Sequence, residues 1–210
     1  MKAVHYNILA DLFRYPSEQT AQQLKACGQF INNEHPEMLE LLRPFQKHFL
    51  NKSMEDLQEY YIKTFDVTAV CFLDIGYVLF GEDYKRGDFL VFMKQEQELA
   101  GNDCGVELPD HLPNMLTLVP KLKDQKLAEE LMVTLTIPAL KEMIAQFKNT
   151  KNVYAGLLEM LQLLLEKTFV NSTFSAFELH TENDKGFLKN YSCGVDQSLF
   201  ERKNTKTKTF

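Results

Sequence analysis

Residues 152–169 read "NVYAGLLEMLQLLLEKTF", and their leucines fall on nearly every side of a 3.6-residue helix instead of along one stripe. A helix that is apolar all round has to be covered all round, so this one belongs at the centre of a helical bundle. Upstream, 124–148, "DQKLAEELMVTLTIPALKEMIAQFK", predicts two helical segments joined or kinked at Pro138. Apolar residues recur at helical spacing almost everywhere else, and runs of alternating polarity are scarce. The expected class is therefore all-α: one domain, a bundle of about eight to ten helices.

The remaining helices have local punctuation. A first helix over about 3–13 should stop before Tyr15-Pro16, because a residue preceding proline is pushed out of the helical region. Ser17 is placed to cap a second helix carrying Leu24, Cys27 and Ile31. In "HPEMLELLRPFQKHFL" (35–50) Pro36 suits a first turn, while Pro44 should bend or divide the helix. "SMEDLQEYYIKTF" (53–65) opens with a Ser53-to-Asp56 cap pattern. "TAVCFLDIGYVLFG" (68–81) reads as a buried helix ended by Gly81, and Asp83 should cap the one that follows. "GNDCG" (101–105) is a turn, and a connector near 101–113 forms a hinge loop between the two halves. Asp110 is then placed to cap a helix that has Pro113 in its first turn.

Composition narrows the function classes. The 23 lysines and arginines against 29 acids leave a net charge of −6, which disfavours nucleic acid and suits a cationic partner. No stretch approaches the roughly 20 uninterrupted apolar residues of a membrane span, and Asp11 and Arg14 break the apolar run that a leader peptide would need. The four cysteines, Cys27, Cys71, Cys104 and Cys193, are widely spaced and read as reduced thiols. A cytoplasmic protein is expected. The helical signal weakens from Val170, so the helical domain is assigned to 1–190 and a polar, basic, flexible tail to 191–210, ending in "ERKNTKTKTF".

Chemistry-bearing residues collect in "GVELPDHLPNML" (105–116). Cys104, Asp110 and His111 are the residue types of a thiol nucleophile, an orienting acid and a base, which makes a small thiol hydrolase the enzymatic alternative. Spacing does not favour it: zinc sites use tighter pairs such as C-x-x-C, and neither that nor a glycine-rich phosphate loop occurs. No metal site or catalytic group is expected.

Two blocks taken together, "FDVTAVCFLDIGYVLFGEDYKRGDFLVFM" (65–93) and "VELPDHLPNML" (106–116), resemble the TorD/DmsD/NarJ family of redox-enzyme maturation chaperones, most closely its NarJ-like branch serving nitrate reductase and its relatives. The most specific element is "ELPDHLP", similar to the family's acid-x-Pro-Asp-His loop. The likeness is good over about 60–122 and elsewhere extends to the order of helices. It implies a non-enzymatic cytoplasmic chaperone. Such a chaperone binds the N-terminus of the catalytic subunit of a molybdopterin oxidoreductase of the dimethyl sulfoxide reductase family, often a twin-arginine signal or its remnant. It assists insertion of the molybdenum cofactor and delays export or membrane docking. The cofactor belongs to the client and none is implied for this chain. A structural subunit of the mature oxidoreductase is the other reading, a monomer is the default assembly, and a helix-swapped dimer is the alternative.

A client segment that joins cations to an apolar run needs an apolar groove edged with acid. The resemblance assigns client contact to Tyr77, Glu82, Arg86 and Gly87 upstream and to Glu107, Pro109, Asp110, His111 and Pro113 in the loop; the aromatic run and the acids add Phe80 and Asp88. Purely structural roles stand beside these: Asp110 as a helix cap, Gly87 permitting close helix packing, Arg86 pairing with Glu82 at i, i+4.

Overall fold

The computed structural model describes residues 1–176, so the expectations for the end of the domain and for the basic tail lie outside the described residues. It is all-α. In chain order the helices are α1 (Ala3–Asp11), α2 (Thr20–Glu34), α3 (Leu39–Leu50), α4 (Met54–Phe65), α5 (Ile75–Phe80), α6 (Tyr84–Leu99), α7 (Leu112–Leu118), α8 (Gln125–Glu130), α9 (Ile137–Gln146) and α10 (Tyr154–Thr168). The residues that decided the class behave as expected: Tyr154, Leu157, Leu158, Met160, Leu161, Leu164 and Leu165 of α10 are all buried, against α9 on one side and α3 on another. At the second contact the backbones nearly touch. A Cβ on Gly156 would lie 2.7 Å from the Leu41 carbonyl oxygen, so only glycine fits there.

A second layer packs α1 on α2 and α7. The short α7 contributes Leu112, Pro113, Asn114, Met115, Leu116 and Leu118 to the interior, and α5 lies between α6 and α9. Among the described residues no helix is long and apolar enough to cross a membrane.

Local rules explain most boundaries. Ser53 accepts a hydrogen bond from the Asp56 N–H at the start of α4, and Asp83 accepts one from Lys85 N–H at the start of α6. Gly81 ends α5 at φ +60°, a left-handed value that costs glycine little. Three expectations need correction. First, α2 begins at Thr20, not beside Ser17: the Ser17 N–H donates to Thr20 Oγ1 (2.9 Å), and Ser17 forms a turn instead of a cap. Second, α3 runs undivided through Pro44. The carbonyl deprived of its partner there belongs to Glu40, and both residues are exposed, which lowers the cost of the missing hydrogen bond.

The third concerns 68–81, which is not one helix. Only Ile75–Phe80 is helical; the chain turns at Thr68 (φ +54°), bends at Val70 and Cys71, and runs into the bridge at Asp74, with Cys71, Leu73 and Ile75 buried, Phe72 exposed and Asp74 half-buried. Pro138 does join two segments. It occupies the first turn of α9, and the residues before it, Leu131–Thr136, form a π-helical turn in which Thr136 Oγ1 donates to the Leu131 carbonyl (3.1 Å).

Candidate functional site

The connector between α6 and α7 is stitched to the segment that leads into α5. Asp74 and His111 form an antiparallel bridge: the Ile75 N–H donates to the Asp110 carbonyl (3.1 Å) and the Leu112 N–H to the Leu73 carbonyl (2.9 Å). Side chains repeat the link, with His111 Nδ1 2.9 Å from Asp74 Oδ1 and the Gly76 N–H donating to Asp110 Oδ2 at 2.7 Å. Gly76 is the second residue of α5, so Asp110 satisfies a free N–H of that helix and does not cap α7, whose preceding residue is His111. Gly76 has to be glycine: a Cβ would sit 2.9 Å from both Asp110 Oδ2 and Phe89 Cδ1.

Buried amides fasten the rest of the connector. Gln97 Nε2 donates to the Pro109 carbonyl (2.7 Å), Asn102 Nδ2 to Gln97 Oε1 (2.6 Å), and Asn114 Nδ2 to the Leu108 carbonyl (2.9 Å). Gln97, Asn102 and Asn114 are all buried. Only the tip is free, where Gly105 turns at φ +61° and Val106 is 99% exposed.

Asp110 is wholly buried, and its carboxyl is pushed up to about 6, first by burial, with the Asp74 charge adding to it; the Gly76 N–H and the Arg86 charge oppose the rise. Among the described residues its Oδ1 has no hydrogen-bond partner, and neither has the buried Nε of Arg86. Arg86 does not pair with Glu82: its guanidinium lies over the Tyr77 ring, 5.0 Å from the centroid. The same Tyr77 ring makes a T-shaped contact with Phe72, their centroids 4.8 Å apart.

The site residues read from the sequence therefore divide. Tyr77, Arg86, Asp110 and His111 come together around the start of α5 and α6. Phe80 packs on Phe89 at 5.8 Å, Pro109 is half-buried and Pro113 is interior. Glu82, Gly87 and Asp88 are exposed on the turn and first residues of α6, and open space surrounds the missing Cβ of Gly87, so close packing does not explain it. Glu107 is exposed at the loop tip, where its charge acts on the Tyr61 hydroxyl.

Among the described residues the Cys104 thiol makes no hydrogen bond to Asp110 or His111. It contacts the Asn102 carbonyl at 3.9 Å, and burial and then the Asp103 charge push its ionisation up, while Asp110 accepts from Gly76 and His111 Nδ1 pairs with Asp74. Among the described residues no group of three or more histidines, cysteines and acids is placed to hold a metal ion.

Beside Tyr77 opens a groove of about 350 Å³. Val70, Phe72, Tyr77 and Val78 line one side, and Glu142, Met143 and Gln146 of α9 line the other. The α9 residues were invisible to motif reading, since they lie more than sixty positions downstream on a helix with no unusual spacing. Asp74 was equally hidden inside an apolar run.

Fold and groove together define an all-helical protein with an apolar cleft edged by a carboxylate and an amide. No family model matches the chain. It is 28% identical over 176 residues, 82% of this chain and 94% of the other, to the protein of Bacillus subtilis (strain 168) described as a probable nitrate reductase molybdenum cofactor assembly chaperone NarJ. This likeness bears out the resemblance to the NarJ-like chaperones.

Proposed function

We propose that the chain is a molybdenum-cofactor assembly chaperone for a nitrate reductase, acting without turnover in the cytoplasm on a catalytic subunit of the dimethyl sulfoxide reductase family. The near full-length likeness to the Bacillus subtilis chaperone carries this reading, and the groove beside Tyr77 supplies the binding surface. An apolar segment of the client's N-terminus, a twin-arginine signal or its remnant, lies between Phe72, Val78 and Met143, with Glu142 facing the cations that flank it. The stapled connector holds the Tyr77 wall in place before the client arrives, which limits the ordering entropy lost on binding.

Calorimetric titration with the N-terminal peptide of the nitrate reductase catalytic subunit tests this. Wild-type protein should bind saturably. Tyr77→Ala and Glu142→Lys should each weaken binding at least about tenfold, roughly 1.4 kcal/mol, while keeping the wild-type helical content. Folded variants with unchanged affinity would remove the groove from the reading, and absence of binding by wild type would remove the peptide.

A further inference from the structure

One wall of the groove beside Tyr77 is α9, and α9 packs along α10, the helix from which the chain runs on to Ala176 and then to residues 177–210. The lining is apolar at Phe72, Val78 and Met143 and acidic at Glu142, and the Phe72 ring is exposed. The sequence beyond Ala176 holds the matching chemistry. Leu199 and Phe200 form an apolar pair; Arg202, Lys203, Lys206 and Lys208 follow with Glu201 alone against them, so 201–210 carries a net charge of +3 in a chain whose total is −6. An apolar run joined to cations is what an apolar groove edged with acid selects. Reach does not forbid the meeting. At roughly 3.3 Å per residue the chain from Ala176 to Phe200 spans up to about 80 Å, against a radius of gyration of about 16 Å for a domain the size of residues 1–176.

We propose that residues 199–208 occupy this groove in the free protein, with Leu199 and Phe200 against Phe72 and Val78 and the cations beside Glu142, and that the client segment displaces them. The proposal rests on the peptide-binding reading above and adds to it that the chain carries its own competitor. A tether of this kind gives an effective concentration on the order of 1 mM, so a local dissociation constant of only about 0.1 mM fills roughly nine grooves in ten and weakens the client about tenfold. The apolar lining is thereby covered until a client arrives, and only a segment that binds better than residues 199–208 gains the groove.

Two measurements on the full chain test this. In calorimetric titration with the catalytic-subunit N-terminal peptide, Leu199→Ser/Phe200→Ser and Arg202→Glu/Lys203→Glu should each bind about tenfold more tightly than wild type, and the gain should vanish when Tyr77→Ala is also present. Unchanged or weaker binding by these folded variants overturns the proposal. The second measurement needs no client: benzoylphenylalanine in place of Phe200 should, on irradiation, crosslink within one chain to residues 69–78 or 142–146, and Glu142→Lys should lower the yield several-fold. Crosslinks confined to other residues, or formed only between two chains, overturn it. If no protein binds the peptide but the crosslink within one chain forms and responds to Glu142→Lys, the peptide reading fails and the docked segment stands.

Discussion

Asp110 shows how much one buried carboxyl governs here. It is wholly interior, accepts the Gly76 N–H, and is raised from 3.8 to about 6, a difference worth on the order of 3 kcal/mol. The folded protein thus holds this proton more tightly than the unfolded chain does. Its contribution to stability is complete below about pH 4 and is lost as the pH rises through 6. Asp110→Asn keeps an acceptor for Gly76 and has no charge to desolvate, so its stability should not share that decline. Urea unfolding at intervals from pH 4.5 to 7.5 should show Asp110→Asn gaining on wild type as the pH rises, and parallel profiles would disprove the account. The importance of Asp110 was legible from the motif, but its partner was not. A cap pattern names the nearest helix, whereas the N–H that Asp110 satisfies lies 34 positions upstream.

At the scale of elements, the decisive contacts are close approaches of backbone. The non-helical residues before α5 follow from the bridge to His111, which uses hydrogen bonds a helix would need for itself. The in-out alternation of Cys71, Phe72, Leu73, Asp74 and Ile75 was present in the sequence, but Phe72 disguised it by being apolar on the outer face. The crossing of α10 over α3 depends on Gly156 in the same way. Gly156→Ala would gain up to about 1 kcal/mol of helix propensity. It would also place a methyl 2.7 Å from the Leu41 carbonyl oxygen, a backbone atom that cannot rotate away, and overpacking of this kind costs roughly 1–3 kcal/mol. The clash should win. Chemical denaturation is expected to show a net loss of stability, and a net gain would mean that the helices can separate freely.

In the whole molecule, α1, α7 and α10 lie in one continuous core that joins both halves of the chain across the connector. Leu116, fully buried on α7, is part of it. Leu116→Ala should lower stability by about 2–5 kcal/mol without splitting the unfolding transition, because its neighbours come from both halves. The chain has no tryptophan and 8 tyrosines, so far-UV circular dichroism and tyrosine fluorescence can follow the same urea titration. Coincident midpoints are expected, and separated ones would show that the two halves unfold independently.

By itself the sequence determined the all-α class, the central place of 152–169, the caps of α4 and α6, and the two blocks that carry the chaperone likeness. Each of these rests on periodicity, on a side chain reaching a backbone group two or three residues away, or on a short run of letters, and all three are local. The tertiary structure alone decided that Asp110 serves α5, that Arg86 lies on Tyr77 instead of beside Glu82, that His111 pairs with Asp74, and that α9 supplies the second wall of the groove. These are meetings between distant segments, and burial selects among them by asking which polar groups can be satisfied together.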